Sequence, residues 1–128
     1  MRGWILLALV AVASPAAGDQ IRVKPLDKGG TYDCSKDSPA VRIPNGAGTY
    51  TFTGRCVLIS IVGGMNTVTA EDVSALEIVG AKNTVSVGSV NRITFSGIGN
   101  TVTWKKAVSG DKPRVEGQVA KNTVIKGK

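Results

Sequence analysis

Residues 63–69 read Gly-Gly-Met-Asn-Thr-Val-Thr, residues 80–86 Gly-Ala-Lys-Asn-Thr-Val-Ser and residues 97–103 Gly-Ile-Gly-Asn-Thr-Val-Thr, three copies at an interval of 17. A fourth Asn-Thr-Val opens at Asn122, 22 residues after Asn100, which places an insertion of five within residues 105–114. Between the copies, apolar and polar residues alternate, as in Ile59-Ser60-Ile61, Leu76-Glu77-Ile78 and Ile93-Thr94-Phe95. Alternation of period two marks strands. Strands this short, joined by glycine corners at fixed spacing, bury a core only by stacking on copies of themselves. The pattern predicts an all-β, small single-domain parallel β-helix, a β-solenoid with coils of about 17 residues. Equivalent strands then lie about 4.8 Å apart, with Ile59/Leu76/Ile93, Ile61/Ile78/Phe95 and Val68/Val85/Val102/Val124 in columns inside.

The asparagine column, Asn66, Asn83, Asn100 and Asn122, has a structural reading. A carboxamide both donates and accepts, so it can bond to the coils above and below while tolerating a turn conformation. Gly46, Gly63, Gly80 and Gly97 fall at the same interval and are expected to be corner glycines, needed for positive φ or close backbone approach. Val119 stands where the last unit would carry its glycine, which leaves the register of the final coil open.

Outward from the repeat, residues 1–18 combine Arg2, an apolar run from Trp4 to Ala13 and small residues at Ala16 and Gly18, the pattern of a cleaved signal peptide. The apolar run is too short to span a bilayer, so no transmembrane anchor is expected after cleavage. Export, to a periplasmic or extracellular location, follows. Residues 19–55 are irregular and proline-rich, and are expected to form an N-terminal cap and first incomplete coil. Residues 56–128 form the coils. The two cysteines, in an exported chain, read as one disulfide between Cys34 and Cys56 that staples the cap to the first coil. No C-x-x-C spacing or histidine supports a reactive pair.

The chain carries 16 basic and 9 acidic residues, a net charge of +7. Most of the excess lies in residues 105–128, where seven basic residues face Asp111 and Glu116. Lys105, Lys106, Lys112, Arg114 and Lys121 form a candidate anion-binding end, suited to an anionic envelope polymer or polysaccharide. The same charges also serve to solvate an exposed end and deter end-to-end stacking, with Trp104 closing the core beneath them. No nucleic acid partner is expected, since aromatics are not interleaved with the lysines.

Histidine is absent and aromatic residues make up only 5% of the chain. Imidazole catalysis is excluded, and no P-loop, G-x-S-x-G, zinc motif or calcium nonapeptide is present, so no cofactor or metal is expected. Three readings remain. The first is a non-catalytic exported binding or scaffold module of unknown ligand. The second is an enzyme on, or a binder of, acidic polysaccharide. Glycoside hydrolysis needs two carboxylates facing across a cleft, whereas Glu71 aligns with Gly54 and Gly88, Asp72 with Arg55 and Ser89, and Glu77 with Ser60 and Thr94. A lyase base at Arg92 or Lys82 is the remaining form of that reading. The third is surface recognition, of an ice-like kind, by an outward hydroxyl array of Thr67, Thr69, Thr84, Ser86, Thr101 and Thr103. Threonine is also an ordinary residue for an exposed strand face.

The Gly-x-x-Asn-Thr-Val units, preceded by an alternating strand and the Gly54-Arg55-Cys56 step, resemble an uncharacterised family of short secreted bacterial proteins with a domain of unknown function. The resemblance spans roughly residues 31–126. It implies a bacterial exported or envelope-associated β-solenoid and brings no catalytic residues with it.

Overall fold

The computed structural model describes residues 22–127, so the expected signal peptide lies outside the described residues. Among the described residues nine strands run in chain order: β1 (Lys24–Pro25), β2 (Gly30–Asp33), β3 (Ala40–Ile43), β4 (Thr49–Ile61), β5 (Thr67–Ile78), β6 (Thr84–Phe95), β7 (Thr101–Ala107), β8 (Arg114–Gly117) and β9 (Thr123–Lys126). Every pairing is parallel. The ladder runs β1-β3-β4-β5-β6-β7-β9, with β2 added on β4 and β8 on β6. The protein is a parallel β-solenoid, and the only helix among the described residues is one 3-10 turn, Val119–Lys121.

Interior strands stack at the interval of 17, Thr67 beside Thr84 beside Thr101. β5 and β6 are each continuous but bent, because pairing skips Glu71/Gly88 and Ser74/Asn91. Alternation carries Ile59, Leu76 and Ile93 into one internal column and Ile61, Ile78 and Phe95 into another, all essentially inaccessible to solvent. A third column runs Tyr50, Val68, Val85, Val102 and Val124. Aromatics plug the ends. Tyr32, Tyr50 and Phe52 pack with ring centroids 6.0–6.5 Å apart at the N-terminal end, and Trp104, under the ammonium of Lys126, lies near the other. Burial first, then the charges of Tyr32 and Asp27, holds the Tyr50 phenol above its usual 10.0.

The N-terminal segment is itself in register with the coils. β2 pairs with the first half of β4 and β3 with the second half. Its spacing is not 17: Ala40 lies beside Leu58, eighteen residues on, and Gly30 beside Tyr50, twenty on. The turn after Asp33 and a bulge at Thr53-Gly54, where Gly54 has φ +74°, absorb the difference. Cys34 and Cys56 are bonded to each other, their Cα atoms 5.1 Å apart, and tie this coil to the next.

The insertion falls between Ala107 and Arg114. It displaces β8 by five residues, so that Arg114 lies beside Arg92. At Val119 the chain winds into the 3-10 turn and delivers Asn122 back to the corner.

Candidate functional site

The asparagines occupy the corner and connect coil to coil. The backbone N–H of Asn66 donates to Asn83 Oδ1 (2.9 Å), that of Asn83 to Asn100 Oδ1 (2.8 Å) and that of Asn100 to Asn122 Oδ1 (2.8 Å). The side chains donate in the opposite direction, Asn83 Nδ2 to Gly63 O and Asn100 Nδ2 to Gly80 O, both at 3.0 Å. Asn66, Asn83 and Asn100 are buried, so these amides are satisfied by the protein and hold the corners together.

Gly63, Gly80 and Gly97 stack where no side chain fits. A Cβ on Gly97 would lie 1.9 Å from Gly80 O, and one on Gly80 2.0 Å from Gly63 O. Gly46 is not in that column. Because the first coil is offset by eighteen, Gly63 meets Asn45 and Gly46 meets Gly64. The residue before each of the first three asparagines adopts a left-handed conformation, with φ 59° at Met65, 58° at Lys82 and 74° at Gly99, whereas Lys121, before Asn122, closes the 3-10 turn.

From the corner the chain enters the hydroxyl face. Thr67, Thr84, Thr101 and Thr123 form one column, and Thr69, Ser86 and Thr103 the other, which ends at the exposed Ile125. Both columns extend further toward the N terminus than the interval of 17 indicates. Thr49 continues the first, and Thr51 and Thr31 continue the second. These three residues escaped sequence reasoning, although Thr49-Tyr50-Thr51 has the right alternation.

Beside the second column the chain bends, and the residues at the bend repeat at 17 as Gly54, Glu71, Gly88 and Lys105. Here the face is hollowed into an open depression of about 540 Å³, lined by Thr69, Glu71, Ser86, Gly88, Thr103 and Lys105 over Ala70 and Val87. Glycine is required at its centre, since a Cβ on Gly88 would lie 2.5 Å from Glu71 O. One oxygen of Glu71 is fixed: Oε1 accepts the Gly54 N–H at 2.8 Å. Lys105 makes no ion pair among the described residues.

The cations of the expected anion-binding end are spread over four elements of the chain beyond β6. Lys105 and Lys106 lie on β7, Lys112 in the inserted loop, Arg114 on β8 and Lys121 at the end of the 3-10 turn. Arg114 Nε is held by Glu116 at 2.8 Å. The ladder instead sets Arg92 and Arg114 side by side, an adjacency that the insertion conceals in the sequence. Lys82 sits on the corner with φ 58° and makes no ion pair among the described residues.

The acidic groups on the strands are individually engaged. Arg55 Nε donates to Asp72 Oδ2 at 3.1 Å while Asp72 Oδ1 is buried without a partner. Ser60 Oγ donates to Glu77 Oε1 at 2.9 Å. Glu116 enters the Glu77–Thr94 column two strands beyond Glu77. Neither Glu77 nor Glu116 lines the depression.

A family model described as "Protein of unknown function (DUF3060)" matches residues 46–85 and 72–118. No curated protein matches the chain. No solved structure matches it either.

Proposed function

The chain belongs to the DUF3060 family, and on that premise we propose that it is an exported, non-catalytic β-solenoid that binds polysaccharide across its hydroxyl face. The observation that carries the reading is the depression between Glu71 and Lys105, where a rigid ladder presents hydroxyls, a carboxylate and an ammonium on one open face. Few, fixed polar groups around an open depression suit recognition of a ring with hydroxyl edges. Glu77 and Glu116, the two carboxylates that share a column, do not line the depression, and Glu71 is its one carboxylate, which supports binding there without bond cleavage. Export is supported by the signal-like start of the chain and by the Cys34–Cys56 disulfide, a bond that persists in oxidising compartments.

Two measurements on the full chain test this. After expression in a bacterial host, the exported fraction is expected to contain a protein starting at Asp19, read by mass spectrometry; retention of the intact chain in the cytoplasm refutes export. Co-sedimentation with cell envelopes and insoluble polysaccharides, at low and high salt, is expected to show binding that partly survives salt and releases no soluble sugar. Release of product makes the protein an enzyme, and failure to bind any polymer removes the reading.

A further inference from the structure

We propose that the Gly88 notch is a subsite for a single acidic sugar residue of the polymer, a uronic acid, with its carboxylate at Lys105 and its hydroxyls at Glu71 and Ser86. The inference rests on the binding reading above and names the chemistry that the site selects.

The notch cannot be filled by the protein itself, because any side chain at position 88 meets the carbonyl of Glu71. Its two ends are two strand spacings apart, about 9.6 Å, and the volume of about 540 Å³ lies in the range of small-ligand sites. At one end Glu71 is preoriented. With Oε1 held by Gly54 N–H, its other oxygen is left to accept hydroxyl protons, a charge-assisted bond. At the opposite end Lys105 offers three donors and makes no ion pair among the described residues. Thr69, Ser86 and Thr103 supply hydroxyls between them.

These unlike ends define the ligand. A neutral sugar satisfies Glu71 but leaves the ammonium to water. A residue acidic at both ends sets a carboxylate against Glu71. A sugar with one carboxylate opposite a pair of hydroxyls satisfies both ends, and the net positive charge of the chain draws an acidic polymer toward it.

The test is titration of the full, disulfide-bonded chain with a uronic acid trisaccharide and with the neutral trisaccharide of the same linkage, followed by calorimetry and by backbone amide shifts. The acidic ligand is expected to bind about fivefold more tightly at low salt, the upper range for an exposed charge pair. Amide shifts are expected at residues 69–71, 86–88 and 103–105. Lys105→Ala is expected to bring acidic affinity down to the neutral level, and Glu71→Gln to weaken both ligands. Lys121→Ala, at the far corner, is expected to change neither. Equal affinity for the two trisaccharides, or a preference that survives Lys105→Ala in a variant with unchanged circular dichroism, overturns the uronic acid inference. Shifts confined to Lys112 and Lys121 also overturn it. If neither trisaccharide binds, this subsite is refuted; whether the polymer still co-sediments with the chain then decides the broader reading separately.

Discussion

Replacing Asn83 by alanine tests what holds the coils together. Asn83 is 1% exposed and makes three bonds across the stack: it accepts from Asn66 N–H at 2.9 Å and donates to Gly63 O and to Asn100 Oδ1, each at 3.0 Å. Alanine removes all three and strands a buried amide and a buried carbonyl, with no room for a replacement partner beyond the volume of the lost carboxamide. Each orphaned buried group costs about 1–3 kcal/mol, so the expected loss is about 3–4 kcal/mol, a large share of the roughly 5–15 kcal/mol of a whole domain. Asn122 is the internal control. It makes comparable bonds but is only partly buried at the end of the stack, where water can replace them, and Asn122→Ala is expected to cost about 1–2 kcal/mol. Urea denaturation of the two variants and the parent, with equal m-values, measures the difference through the midpoint. Asn83→Asp sharpens the test. It keeps the acceptor but turns a carboxylate toward Gly63 O and Asn100 Oδ1, so burial and these oxygens raise its folded-state pKa and its stability is recovered as pH falls. A loss at Asn83→Ala below about 1 kcal/mol, or one no larger than at Asn122, refutes the ladder as the source of corner stability.

Four further outcomes are expected. Gly97→Ala, whose Cβ would lie 1.9 Å from Gly80 O, destabilises by more than about 2 kcal/mol; a thermal midpoint unchanged from the parent refutes the close approach. Lys82→Gly relieves a left-handed backbone at φ 58° and is expected to be neutral or stabilising by up to about 1 kcal/mol, against the usual strand penalty for glycine; an ordinary loss in urea melts counts against it. Opening the disulfide by Cys34→Ser with Cys56→Ser frees a sequence separation of 22 and should cost about 3 kcal/mol in the chain-entropy model, read by urea denaturation, with no loss as the refuting result. The raised pKa of Tyr50 contributes stability that is fully present below the unfolded-state value near 10.0 and is lost as pH rises through the folded-state value. Alkaline titration of the urea midpoint should therefore fall more steeply in the parent than in Tyr50→Phe; parallel curves refute it.

The parts of the molecule that were legible in the sequence are those that repeat without interruption. Asn66, Asn83 and Asn100 sit at a constant interval, so the register of β5, β6 and the start of β7 follows by translation alone. Where the interval changes, position in the chain no longer reports position in space. The offset of eighteen that runs from the β3–β4 pairing through the corner to the first half of the β4–β5 pairing moved Gly46 out of the Gly63 column and hid Thr49 and Thr51 from the hydroxyl array. The five inserted residues concealed the pairing of Arg92 with Arg114. The notch escaped for a different reason. Glu71 could be aligned with Gly54 and Gly88, but nothing in Glu71-Asp72 announces a bend in a strand, and without the bend a glycine beside a glutamate is a feature of a flat face.

The departures from the 17-residue interval share one property: they all lie at the two extremities, whereas the interior is strictly translational. Each interior turn of chain meets only the turn before and the turn after, and presents to both the same glycine, the same carboxamide and the same branched side chains. An in-frame duplication of one such unit would therefore create no interface of a new kind. The height of the stack, and with it the number of parallel rows available to a long polymer, is set by copy number and can change by unequal recombination while the specialised ends stay as they are.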